Sequence, residues 1–162
     1  GTVVDSFTES VDVMPTMCDW LGIEVPIAVD GRPLQPFLRG DGAPVDWRTE
    51  AHWQWDFRDP VGHVAEDTLG LTMEQCTLDV VRSARHKYVH LGDGSWLSFD
   101  LEADPDQVGG AASAGTAADG DREAVADARG RLLSWRMRHD DRTLTGHRIT
   151  TSGLYSRRDP RR

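Results

Sequence analysis

The chain has 162 residues and a formal net charge of −9 at pH 7, from 27 acidic against 18 basic side chains. That length suits one domain or a large part of one and is enough to bury a core. The acidic balance argues against a general nucleic-acid or anionic-membrane binder, and no apolar run is long enough to span a bilayer.

Gly1 stands where a start methionine would, with no signal-peptide pattern after it, so the chain reads as a processed piece or a fragment. A cytoplasmic location is the expectation, weakly constrained because any leader would be missing with the start. Residues 1–7 read as an extended lead-in carrying Val3 and Val4. Asp12 is placed to cap a short helix with Pro15 in its first turn, where the missing N–H costs nothing. Met14, Met17, Cys18 and Leu21 recur at helical spacing as one apolar stripe, and Gly22 supplies the positive φ that ends the helix. Asp30, Gly31 and Pro33 then suit a tight reversal, and Leu34, Phe37 and Leu38 an apolar helical turn closed by Gly40.

Residues 41–46 form a Gly/Pro linker. From Trp47 the pattern turns to period two: Trp47, Thr49, Ala51, Trp53, Trp55 and Phe57 alternate with Arg48, Glu50, His52, Gln54 and Asp56. This predicts a half-buried strand whose aromatic side is covered by a helix or second layer, leaving His52 on a solvated edge. Residues 58–75 read as a long irregular loop. Residues 76–82, 87–91 and 96–101 are three further strands, the last two joined by a Gly92-Asp93-Gly94 hairpin turn. Residues 107–120 are rich in Ala, Gly and Ser and read as a flexible loop. A helix follows from Asp121 to about His139, with Val125, Ala128, Leu132 and Trp135 as its stripe. The fold class is therefore α+β, a four-stranded antiparallel sheet with a helix packed across it. The Arg-rich end, Arg142 to Arg162, reads as a solvated basic tail, with docking on another subunit as the alternative. Cys18 and Cys76 lie far apart without C-x-x-C spacing, and a buried thiol is the plainer reading for Cys18.

Four short motifs carry a resemblance. Ser10-Val11-Asp12-Val13-Met14-Pro15-Thr16, Trp20-Leu21-Gly22-Ile23, Val29-Asp30-Gly31-Arg32-Pro33-Leu34 and Phe37-Leu38-Arg39-Gly40 resemble the S-x-D-x-x-P-T…L-x-G-I…x-D-G-x-S-L…L-x-G signature of the sulfatase family, within the alkaline-phosphatase-like superfamily of metal-dependent ester hydrolases. Pro33 stands where the family more often has Ser. Further on, Val81 to Val89 is similar to the family's x-R-x-x-x-x-K-Y-V strand pair, and Phe99 to Pro105 to its L-Y-D-L-x-x-D-P motif, with Phe99 in place of Tyr. Leu133 to Arg136, the segment to Thr145 and the Trp-rich strand resemble the phosphonate monoester hydrolase and arylsulfatase branch.

The resemblance implies a late position in such an enzyme. Residues 1–46 would end the main α/β domain, 47–141 would form the C-terminal subdomain and 142–162 the tail. A formylglycine nucleophile, made from Cys or Ser in C/S-x-P-x-R, and a divalent metal held by aspartates with an Asp-His or Asp-Asn pair would belong to the complete enzyme. Neither is expected here. Cys18 and Cys76 lack the Pro and Arg, and Ser156-Arg157-Arg158-Asp159-Pro160 has its Pro misplaced. Asp140-Asp141 and Asp104-Pro105-Asp106 read as turn or helix-end residues. His86 and His90 share a strand parity but would lie roughly 13 Å apart, too far to chelate one ion. Trp53, Trp55 and Phe57 read as core before they read as a stacking platform.

No catalytic, cofactor-binding or metal-binding residue is therefore expected in this chain. The expectation is the C-terminal part of a hydrolase of sulfuric, phosphoric or phosphonic monoesters, its partner being a missing N-terminal catalytic part and the complete enzyme a homo-oligomer. The alternative is a free-standing, non-catalytic interaction or oligomerisation module that kept only the subdomain.

Overall fold

In the computed structural model, residues 3–26, 29–110, 112–113, 119–139, 147–150 and 153–156 are described. The chain forms two compact units, one of residues 1–49 with 135–162 and one of residues 50–134.

In the first unit a 3₁₀ turn at Ser10–Asp12 leads into α1 (Val13–Leu21), and α2 (Gln35–Arg39) follows the reversal. Both helices end as the sequence predicts, on left-handed Gly22 and Gly40. At the first of these, Ile23 N–H bonds back to Cys18 O at 2.8 Å, satisfying a carbonyl that the helix end would leave open. Two expectations change. Asp12 does not cap α1, because its carboxylate is drawn instead to groups distant in sequence. The Met14, Met17 and Leu21 stripe does not face inward: α1 buries Pro15, and those three side chains are exposed. The lead-in, over its described residues 3–7, contains no strand. The basic tail also contains order: β5 (His147–Thr150) and β6 (Gly153–Ser156) form an antiparallel hairpin. Leu144, Asp140-Asp141 and the terminal arginines 157, 158, 161 and 162 lie outside the described residues.

The second unit is a four-stranded antiparallel sheet in the order β1 (Glu50–Asp56), β2 (Thr77–Ser83), β3 (His86–Leu91), β4 (Trp96–Asp100). The α4 helix (Asp119–His139), starting two residues earlier than predicted, lays Val125, Ala128 and Leu132 on Val81, Tyr88 and Trp96 as one buried cluster. Of the rest of the 107–120 segment, residues 111 and 114–118 lie outside the described residues, and Ala112 forms a bridge with Ser98.

The parity of β1 is as predicted, but its buried side is reversed. His52 pairs with Val81 and Trp53 with Val80. Because Val81 belongs to the cluster under α4, the Glu50 and His52 side is the helix side. The His52 side chain is 6% exposed, not solvated, whereas Trp53 and Trp55 are 42% and 62% exposed. Trp47 is not part of the strand at all; it is buried in the first unit. Nor is residues 58–75 a plain loop: it holds α3 (Val64–Leu69) and a 3₁₀ turn at Met73–Gln75. The Asp59 carboxylate makes this possible by accepting N–H bonds from Gly62 at 2.9 Å and Val64 at 3.2 Å, three and five residues on.

Candidate functional site

The residues the motifs single out converge in the first unit on one buried carboxylate. Asp12 is fully buried. Its Oδ1 accepts the Arg32 N–H and an Arg48 N–H at 2.9 and 2.7 Å; its Oδ2 accepts the Glu9 N–H at 2.9 Å and the other arm of the same guanidinium. The bidentate fork and two backbone donors fill the acceptor capacity of the carboxylate. Burial pushes the Asp12 carboxyl up, but the Arg48 hydrogen bonds and the Arg32 and Glu9 N–H groups outweigh it and hold the group below its ordinary value of 3.8.

Thr16 makes the second crossing. Its hydroxyl donates to Asp12 O and accepts the Leu34 N–H at 2.9 Å, while the Gln35 amide donates to Thr16 O. Gly31 makes the third: a Cβ placed there would stand 2.0 Å from Val11 O, so the reversal can lie against the 3₁₀ turn only without a side chain. Beneath the knot, Trp47 donates Nε1–H to Phe7 O at 2.8 Å and meets Phe37 edge-on at 4.8 Å. The Arg32 and Arg48 guanidinium groups lie 4.7 and 5.1 Å from its ring, and Arg32 also reaches Asp46.

Two polar clusters of the second unit lie on the helix side of the sheet. Arg129 Nε donates to the Tyr88 hydroxyl at 2.8 Å, and that hydroxyl is 2.8 Å from His90 Nδ1. Burial pushes the Tyr88 phenol up, partly offset by Arg129. Glu50 Oε2 takes Arg131 Nε at 2.9 Å and its Oε1 lies 3.2 Å from His52 Nε2. The two arginine contacts join strand to helix, while Tyr88 with His90 and Glu50 with His52 are neighbours on one face of a single strand.

A shallow cleft is lined by His86, Ser98, Asp100, Asp104, Gly109 and Asp121. Asp100 accepts the Glu102 and Ala103 N–H groups, and Asp104 those of Val108 and Gly109, so both shape their own turns. Among the described residues no group of three or more His, Cys, Asp or Glu side chains is placed to hold a metal ion. Cys76 is fully buried, and burial, with the Glu66 and Asp56 charges, pushes its thiol up and away from reactivity.

The chain is 43% identical over 157 residues to the multifunctional alkaline phosphatase superfamily protein PehA of Trinickia caryophylli, covering 97% of this chain and 30% of that protein. It superposes on the crystal structure of the phosphonate monoester hydrolase of Agrobacterium radiobacter with a TM-score of 0.73 at 42% identity, over 96% of this chain and 30% of the other. An N-acetylglucosamine-6-O-sulfatase of Bacteroides thetaiotaomicron is 28% identical over 67% of the chain and 18% of its own length. The chain belongs to the sulfatase family and matches the C-terminal part of its members. It spans about 30% of the length of PehA and of the Agrobacterium enzyme, and no family model matches it.

The sulfatase signature is thus legible as a fold device. Its Asp12, Thr16 and Gly31 tie the 3₁₀ turn, α1 and the reversal together, and its Arg32 supplies both a backbone donor to Asp12 and a cation over Trp47. Arg48, which completes the knot, lies outside the signature; its position one residue after a buried Trp was the only local hint. The later motif places Arg82 opposite Lys87 in the β2–β3 register and buries Tyr88 in the sulfatase subdomain core. Arg129 and Arg131, the helix partners of Tyr88 and Glu50, have no signal in the sequence beyond standing on the polar side of α4.

Proposed function

We propose that this chain is the non-catalytic C-terminal part of a hydrolase acting on sulfuric, phosphoric or phosphonic monoesters. Residues 1–46 close its main α/β domain, 47–141 form its C-terminal subdomain, and 142–162 follow as a tail. The observation that carries this reading is the match, at 43% identity over 97% of the chain, to a superfamily protein of which it spans 30%. The residues here do not fit the family's reactive groups. Among the described residues no ligand set converges, and neither cysteine stands in C-x-P-x-R. The formylglycine nucleophile and the divalent metal belong, on this reading, to the preceding part of the polypeptide, and the complete enzyme is a homo-oligomer. Two free thiols fit a reducing, cytoplasmic setting, and no helix among the described residues is long and apolar enough to cross a membrane.

The test is hydrolysis of p-nitrophenyl sulfate and a phenyl phosphonate monoester, with added divalent metal, by these 162 residues and by the product of the complete reading frame. Turnover by the longer product alone, with a C/S-x-P-x-R upstream, is the expected result. Metal-dependent turnover by the 162 residues alone would overturn the assignment.

A further inference from the structure

Strand parity puts Ser98 and Asp100 of β4 and His86 of β3 on the helix side of the sheet, since Ser98 aligns with the core residue Tyr88 and Asp100 with His86. Their side chains therefore face the shallow cleft, which Asp104, from the loop after β4, and Asp121, from α4, also line. The cleft measures about 220 Å³, and no lysine or arginine lines it. Its loop side is fastened to β4 by two backbone bonds, Ser98 N–H to Ala112 O at 2.9 Å and Ala112 N–H to Ser98 O at 2.8 Å, and to β3 by the Lys87 ammonium on the Gln107 amide oxygen. A ligand would thus meet walls already in place.

Two features point to an occupant. Ser98 is only 8% exposed, yet its hydroxyl has no hydrogen-bond partner among the described residues; a hydroxyl so enclosed ordinarily has one, and this one faces the cleft. The second feature is charge. Asp100 Oδ1 and both Asp104 oxygens accept backbone N–H groups of their own turns, which leaves each carboxylate lone pairs to spare. The Ala103 and Glu102 N–H groups hold the Asp100 carboxyl below its ordinary value of 3.8, so it is an anion at neutral pH. Arg85, whose charge reaches Asp100, is paired with Glu102 at 3.3 Å. We propose that this cleft binds a small organic cation through an ammonium or guanidinium group, with Ser98, Asp100 and Asp104 as its acceptors and Ala112 against its carbon chain. A bare metal ion does not fit, because no three His, Cys, Asp or Glu side chains among the described residues are placed to hold one, and an anion would meet the carboxylates. The site lies within the second unit and is independent of the hydrolase reading.

The experiment titrates the isotopically labelled chain, at low ionic strength, with n-butylammonium, n-butylguanidinium and the neutral isostere n-butylurea, following the amide resonances of Ser98, Asp100, Gly109 and Gly110. Saturable shifts there with at least one cation, and none with the urea, are expected; the tighter of the two cations identifies the head group. Ser98→Ala removes a hydroxyl that bonds nothing in the protein, so the melting temperature stays within about 1 °C while binding weakens at least about threefold. Asp100→Asn keeps an oxygen for the Glu102 and Ala103 N–H groups, so the turn persists, but the charge-assisted bond is lost and binding weakens about tenfold. Equal shifts with the urea, no saturation with either cation, or unchanged affinity in either folded variant overturns the proposal. So does a melting temperature lowered by more than about 5 °C in Ser98→Ala, which would show that the hydroxyl already has its partner inside the chain.

Discussion

Replacing Asp12 by Asn tests whether the sulfatase signature is a fold device. The carboxylate accepts four hydrogen bonds, two from Arg48 and one each from the Glu9 and Arg32 N–H groups. Asparagine keeps one acceptor oxygen, turns an NH₂ donor toward other donors, and leaves the largely buried Arg48 with only the Glu9 carboxylate, 3.5 Å from its Nε, as counter-charge. Removing one member of a buried pair costs about 3–5 kcal/mol, a large part of the ~5–15 kcal/mol by which domains are stable. With about 2–4 °C per kcal/mol for a chain of this size, the transition that includes the first unit drops by roughly 6–20 °C in a circular-dichroism melt at pH 7. The acid limb gives an independent reading. Because Asp12 is held below its ordinary value of 3.8, its contribution is complete above that pH and is lost as the pH falls through the lower folded value. The parent protein therefore loses this stability only below about pH 4, and Asp12→Asn, having lost it at every pH, shows a shallower acid slope. Adding Arg48→Met removes the stranded cation and recovers part of the loss. A melt within ~1 kcal/mol of the parent at pH 7, with an unchanged acid slope, would refute the knot as the source of stability in this unit.

Two further outcomes follow from the same contacts. Gly31→Ala puts a Cβ against the Val11 carbonyl, 2.0 Å away in the present backbone; the reversal must lift, and a loss of at least about 2 kcal/mol in urea unfolding is expected, whereas a neutral effect would show that the close approach is not required. Cys18 is half-buried and Cys76 fully buried with its thiol pushed up, so a thiol reagent at pH 8 labels one site in the native protein and the second only on unfolding. Rapid labelling of Cys76 in the native state, read by peptide mass, would contradict its placement.

How much was legible depended on the range of the interaction. Helix stops at Gly22 and Gly40, the Gly-Asp-Gly hairpin and the Val125, Ala128, Leu132 stripe are local, since a positive φ or a 3.6-residue period needs only neighbouring residues. The α+β class and the four-stranded sheet followed from those periods. Periodicity, however, tells which side chains share a face and says nothing about which face is covered. For β1 the aromatic side was the natural choice for the core, yet α4 packs on the side where His52 aligns with Val81, because its arginines meet Glu50 and Tyr88 there. For α1 the apolar stripe was read correctly as a face and wrongly as one turned inward. Likewise α3 was missed because its start is capped by Asp59, five residues before Val64, not by an adjacent residue.

The sequence by itself determined the elements, their order and the sulfatase resemblance, because these rest on backbone preferences and motifs contained in short windows. Only the tertiary structure decided what the polar residues of the signature are for. Asp12 reads as a helix cap until Arg32, 20 residues on, and Arg48, 36 residues on, arrive at its two oxygens, and a carboxylate takes its role from whichever charges the fold brings to it.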